Sequence, residues 1–451
     1  MFAKQAGWLH ISSYRLTDMD CAHARMQEAV GVSAIQLLWR YDRPLDTAAI
    51  EKFHDALVHG RLARVVARAT VAAAGDRWTS DARFAPLLID PEPVATDALM
   101  DWIDARGSAD LAAYGGPAWR LTATALDDGG AIVSLLVSHA ISDALGIVQA
   151  VVDAAAGKSV DLDYASDDFG QGRLLAEDAA AAARQFARVA ALRREHRGAA
   201  QPSNSEPDPV VDAPEPSELP GDFRVPRAIA VVPTHEWHAA AAARGGTATT
   251  LGVGVAAGLA ALAGRTTVDG VAYIGMPVSV RSGPTDLRAN AVRGIRFALD
   301  TATLHDGDMT GLRATVKSEL QASAVGVDPE ELAVATNVTT PLSRLAQTWS
   351  NTAPDHVSTV CSVIRNIDPA VLRIDGTEAA AMSIGLVNRG IEDPSRLARF
   401  GGNLRTTVVD VGEFVVVRAS GFHADTLRTR ADLNASVAAV LQNYGLNATF
   451  W

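Results

Sequence analysis

Residues 198–221, GAAQPSNSEPDPVVDAPEPSELPG, exchange apolar periodicity for proline, serine and acidic side chains. Such a composition buries too little apolar surface to fold and reads as an extended linker. For a chain of 451 residues the consequence is two lobes, 1–197 and 223–451, joined by a linker at 198–222. Each lobe has about 200 residues, enough for a core of its own. Hydrophobic residues at 48% and charged residues at 20% can fill those cores and argue against a disordered chain.

The patterning on both sides of the linker alternates strands with helices. In the first half 34–42, 119–126 and 131–139 have strand character, and Asp127-Asp128-Gly129-Gly130 between the last two is a hairpin signal. In the second half 223–233, 270–280, 292–300 and 406–420 play that part. Helical spacing recurs over 47–70, 142–156, 234–244, 247–264, 309–323 and 425–444. A further helix over 174–198 is rich in Ala, Arg and Glu and stops at Gly198; its arginines form a solvated face or a site for coenzyme phosphate. No short internal repeat argues for a solenoid or a propeller. Two α/β lobes, each a mixed sheet flanked by helices, are the expected architecture.

The formal net charge of −12 argues against nucleic acid as a partner, because a phosphate backbone calls for a surplus of Lys and Arg. Two cysteines, Cys21 and Cys361, are too few for a disulfide framework and lack the spacing of zinc ligands. The opening MFAKQAGWLHISS has no apolar segment of the secretory kind. The longest run of small apolar residues, 251–264, is shorter than the roughly 18 residues that cross a bilayer. A cytoplasmic protein with at most peripheral membrane contact is the expectation.

Chemistry concentrates in LLVSHAISDALG, 135–146. His139 follows an apolar run where a strand would leave its sheet, and Ser142 and Asp143 have the character of a helix start. Strand ends are where open α/β sheets present functional groups. By spacing alone, His139 reads either as a base or as a polar residue at a strand end, and Asp143 as its partner or as a simple cap.

The surroundings narrow this. The stretch from Gly116 to Gly146 resembles the signature of the wax ester synthase and diacylglycerol acyltransferase-like proteins, within the superfamily of coenzyme A-dependent acyltransferases and condensation domains. In that family a Pro-Leu-Trp-Arg segment precedes a hairpin ending in His-His-x-x-x-Asp-Gly. Here PAWR (117–120) and SHAISDA (138–144) stand in those places, with His139 as the second histidine and Asp143 as the aspartate. Beyond the linker, 247–265, MPVSVRSG (276–283) with Asn290, and 408–446 resemble the family's second-lobe landmarks in the same order. Ser138 replaces the first histidine, Ala144 the motif glycine and Thr250-Leu251 an Asn-Asp pair, while 361–369 only faintly echoes an Asn-Val-Pro-Gly-Pro loop.

The resemblance implies two chloramphenicol-acetyltransferase-like lobes forming a V with a central channel. It implies His139 as general base, taking a proton from an acceptor hydroxyl or amine as that atom attacks a thioester. No metal and no bound cofactor are implied; the co-substrate is a coenzyme A thioester or a phosphopantetheine thioester. Asp143 would organise the loop by pairing with an arginine, Arg281 first and Arg120 second, and Gly146 would ease close approach. Main-chain N–H groups at the start of the 142–156 helix are candidate oxyanion donors. Asn290, His423 and Ser142 are candidates to line the channel.

Other signals carry less. His235 and His238 read as part of a helix opening rather than a metal site, Ser142 and Ser358 lack a triad pattern, and the glycines of 251–258 lie within a helix pattern without the strand that precedes a dinucleotide fingerprint. Three functions remain in view. One is an acyl-CoA-dependent transferase acting on a small molecule, and a second is a stand-alone condensation enzyme whose donor is tethered to an acyl carrier protein. The third is a family member without transferase activity that binds a ligand or catalyses another reaction in the cleft.

Overall fold

The computed structural model describes residues 14–31, 33–164, 171–195, 223–304, 307–325, 359–388, 397 and 402–451. The expected linker at 198–222 and Ser358 lie outside the described residues.

The first sheet has the order β11-β1-β6-β5-β4, built from β1 (Ser33–Tyr41), β4 (Leu88–Ile89), β5 (Trp119–Ala125), β6 (Ala131–Ser138) and β11 (Ala381–Asn388). β6 is buried at every position and β1 at all but one, as expected of central strands covered on both faces. The β5–β6 hairpin pairs Trp119 with Val137 and Ala125 with Ala131, and turns on the expected Asp-Asp-Gly-Gly. Helices α1 (Asp18–Val30), α2 (Thr47–Val58), α3 (Leu99–Gly107), α4 (Ala144–Ala155) and α5 (Gln171–Glu195) belong to this half of the chain, with a small ribbon of β2 (Val65–Ala67) and β3 (Arg77–Thr79).

The second sheet has the order β14-β7-β13-β12-β10-β8-β9. Its strands are β7 (Arg227–Pro233), β8 (Val271–Ser279), β9 (Val292–Asp300), β10 (Thr359–Arg365), β12 (Asn403–Val411), β13 (Phe414–Phe422) and β14 (Thr449–Phe450). In this sheet the β8–β10 and β10–β12 pairings are parallel and the others antiparallel, and in the first sheet β4–β5 is parallel, so both sheets are mixed. Helices α6 (Thr234–Ala243), α7 (Ala248–Leu262), α8 (Thr310–Val325) and α9 (Arg430–Asn443) accompany it. Among the described residues no single helix is long and apolar enough to cross a membrane.

α7 is buried along most of its length because its glycines admit neighbours on several sides. A Cβ at Gly252 would press on Val363 and Val408 of the sheet at 3.1 and 3.2 Å, one at Gly254 on the Tyr444 hydroxyl at 2.7 Å, and one at Gly258 on Val440 of α9 at 3.0 Å. These glycines serve helix packing.

Several elements differ from the sequence expectation. The helix expected over 47–70 stops at Val58, and Val65-Val66 form a strand instead. Gly60 follows the helix cap at His59, where an added Cβ would press on the Ala56 carbonyl oxygen at 3.0 Å, and the β-branched pair then suits a strand. The stretch 406–420 lies in two strands: β12 and β13 form a hairpin with Gly412 at φ +73° in the first loop position, a place glycine takes in two-residue turns.

The two halves also share a sheet. β11, encoded beyond the linker, pairs antiparallel with β1 from Ser33↔Asn388 to Arg40↔Ala381. Its attachment is reinforced by Trp39, whose Nε1 donates to the Val371 carbonyl at 2.8 Å, and by Arg418 of β13, whose Nη2 donates to Gln36 Oε1 at 2.7 Å. All four residues are buried.

Candidate active site

β6 delivers His139 to the end of the first sheet. The His139 main-chain N–H donates to the Ser33 carbonyl at 2.9 Å, which extends the ladder by one residue, and the chain then turns into α4. Ser138 is fully buried; its hydroxyl donates to Gln27 Oε1 and accepts from the Ala140 N–H.

Asp143 caps α4, with Oδ1 accepting from the Gly146 N–H at 2.8 Å. Its other oxygen accepts from the Ala291 N–H at 2.7 Å. Arg281 closes on both oxygens, Nη2 to Oδ2 at 2.8 Å and Nε to Oδ1 at 3.2 Å. The two side chains are 3% and 9% exposed, so this is a buried, two-pronged ion pair. Every lone-pair direction of Asp143 is engaged within the protein, which makes it an organiser of the loop rather than an acid toward substrate.

The pair fastens a strap. Residues 281–291, between β8 and β9, cross to the His139 loop, where the Asp143 N–H donates to the Ala289 carbonyl at 3.0 Å and Arg281 Nη2 to the same oxygen at 2.8 Å. Arg61 and Arg64 of the first half grip the strap through the carbonyls of Pro284, Asp286 and Leu287. Gly146 is required by this closeness: a Cβ there would lie 2.6 Å from Arg281 Nη2 and collide with the Ser142 hydroxyl.

Asn290, in the strap, is buried, and its Nδ2 donates both to the His139 carbonyl at 3.0 Å and to Asp20 Oδ1 at 2.9 Å. It is a strut between the loop and α1. Ser142 is buried and donates to the Asp143 carbonyl at 3.2 Å, so it supports the loop rather than facing an open channel. Arg120 is not the partner of Asp143; it sits on β5 and donates to the Asp110 carbonyl at 2.9 Å. His423 closes a turn with Leu427 at the end of β13, against Gly264. His238 donates to Asp410 at 2.9 Å, and among the described residues no three His, Cys, Asp or Glu side chains gather as metal ligands. Of the expected oxyanion donors, the Gly146 and Ile147 N–H groups are taken by the side chain and carbonyl of Asp143.

The His139 ring is held neutral. Burial pushes its pKa below the ordinary 6.5, against the pull of its own carbonyl, Asp143, Asn290 and Asp20 toward the charged form. Nδ1 is buried without a hydrogen bond to another described residue, while the residue as a whole is only partly buried.

The ring also has a neighbour that sequence reasoning missed. His23 of α1 stacks on it with centroids 4.3 Å apart and planes 9° from parallel. Burial first, and the nearby His139 second, push the His23 pKa down to about 3. A signal for α1 existed: Thr17 and Asp20 form a capping box, and Asp20, His23 and Gln27 recur at helical spacing.

No family model matches the chain, and no curated protein matches it. Solved structures do. The first condensation domain of the CDA synthetase aligns with 96% of this chain and 96% of its own at a TM-score of 0.54 and 16% identity. In complex with a substrate analogue, the first condensation domain of the calcium-dependent antibiotic synthetase aligns over the same shares at 0.56 and 15%. A starter condensation domain of rhizomide synthetase in complex with C8-CoA aligns over 97% of this chain and 96% of its own, at 0.55 and 14%. The chain has the condensation-domain fold, two lobes of mixed sheet flanked by helices, as the sequence led us to expect.

Proposed function

We propose that the chain is an acyltransferase of the wax ester synthase and diacylglycerol acyltransferase-like kind, moving an acyl group from a coenzyme A thioester to a hydroxyl or amine of a small-molecule acceptor. The observation that carries this reading is the His139 imidazole: pushed toward its neutral form by burial, with Nδ1 enclosed, on a loop locked by Asp143 and Arg281. Nε2 takes the acceptor proton while the acceptor oxygen or nitrogen bonds to the thioester carbonyl carbon. The C–S bond then breaks and the departing thiolate takes the proton from Nε2. Holding both substrates beside one imidazole supplies the proximity, so no acyl-enzyme is required.

The fold and the starter condensation domain in complex with C8-CoA support a coenzyme A donor. A carrier-tethered donor is the second reading, favoured by the likeness to condensation domains of peptide synthetases. Thiol release from a panel of acyl-CoA donors, with and without mixed alcohols and amines, tests the first. Acceptor-dependent release by wild type that falls by about 10²- to 10⁴-fold in folded His139→Ala is the expected result. Equal release by both proteins would refute it.

A further inference from the structure

Helix α1 meets the site through one face. Asp20, His23 and Gln27 are three and four residues apart, which aligns them along one side of the helix. Each touches a different part of the site: Asp20 accepts from Asn290, His23 stacks on His139, and Gln27 accepts from Ser138. Ala24 lies on the same side with no exposed surface. The Nδ1 atoms of both stacked imidazoles are buried without a hydrogen bond to another described residue, so neither ring is held in place by a bond at that nitrogen.

We propose that His23 is a positioning residue for His139: its ring seals one face of the His139 imidazole against water and fixes the plane of that ring, leaving Nε2 as the nitrogen available to substrate. The catalytic meaning of this role rests on the acyl-transfer reading; its geometry does not. Near-parallel rings 4.3 Å apart leave no room for a water molecule between them. The other groups acting on His139 are Asp143 on its own loop, Asp20 on α1 and Asn290 from the strap, with Arg281 paired to Asp143 and Arg64 close to Asp20. The two carboxylates favour a charged His139 and the sealed face opposes it. Removing the His23 ring admits water to that face, which solvates the imidazolium and weakens the opposition.

The test is a titration of the full chain with ¹⁵N-labelled histidine, following the His139 resonance by NMR in wild type, His23→Ala and His23→Phe. In wild type the His139 titration is expected below the ordinary 6.5, the direction in which burial pushes it. His23→Ala is expected to move it up by about one pH unit, whereas His23→Phe, which keeps a flat ring in place, holds it near the wild-type position. In steady-state assays the alanine variant loses about tenfold in kcat with KM little changed, its acid limb moves up with the titration, and phenylalanine recovers most of the rate. His23→Ser, which like alanine leaves that face open to water, replaces the alanine variant if that one does not fold, and is expected to shift in the same direction. An unmoved titration in the alanine or serine variant, or a phenylalanine shift as large as theirs, would overturn the proposal. The titration needs no turnover. A silent assay with the expected shifts would therefore refute acyl transfer and leave the positioning role standing, and an active enzyme with unmoved titrations would do the reverse.

Discussion

On one side of His139 the site is held by charge, and on the other by stacking and uncharged contact. The charged side is Asp143 with Arg281 and the strap 281–291; the other, uncharged where it meets the ring, is α1, with His23 against the ring, Gln27 under Ser138 and the Asp20 carboxylate accepting from Asn290 of the strap. A buried ion pair is stiff but costly to break, since either partner left alone is an unpaired charge out of water. A stacked pair of neutral rings costs little to remove and acts on the imidazole directly, by excluding water. The comparison teaches a division of labour: the ion pair fixes where His139 stands, and α1 sets the medium in which its ring works.

Substitutions can break each side separately. Arg281→Ala is expected to destabilise the fold by about 3–5 kcal/mol in chemical denaturation, because it strands the Asp143 carboxylate. Asp143→Ala should do likewise, and the double variant should cost clearly less than the sum of the two. Costs that simply add would show that the pair does not act as a unit. Gly146→Ala comes next, at about 1–3 kcal/mol, since its Cβ drives the guanidinium from the carboxylate. Arg120→Ala, on β5 and away from Asp143, should stay within about 0.5 kcal/mol and leave turnover alone. An Arg120 effect as large as that of Arg281 would contradict the assignment of the ion pair.

The uncharged side is sharpened by pH. His23 has a folded pKa near 3, below the ordinary 6.5, so between those values the unfolded chain binds a proton that the folded chain does not. This group therefore takes nothing from stability above pH 6.5 and erodes it as the pH falls, by up to about 1.4 kcal/mol per pH unit. His23→Phe should remove that erosion, so that its melting temperature falls less steeply than that of wild type between pH 6.5 and 4. Parallel curves for the two proteins would show that His23 is not buried neutral.

The charged side is also the more legible one in the sequence. His139 and Asp143 are four residues apart on a strand end and a helix cap, and Arg281 sits in a segment with its own local pattern, so their meeting follows from short motifs in a known order. α1 has no such motif. Its capping box marks a helix start but not where the helix docks, and the stack of His23 on His139 joins residues far apart in the chain. β11 escapes sequence reading for the same reason: nothing in AMSIGLVN says that it will pair with β1 across the linker. Where the sequence reading erred on local elements, at 47–70 and 406–420, a single glycine near each break marked the change of direction.

The central claim is that a neutral His139 is the base. Once a donor and an acceptor are in hand, the most direct measurement is kcat/KM for acyl transfer against pH. The account predicts activity that holds to below pH 6.5 and then falls as His139 takes up a proton, its midpoint matching the His139 titration. A midpoint that departs from that titration, or a profile that survives in His139→Ala, would contradict it.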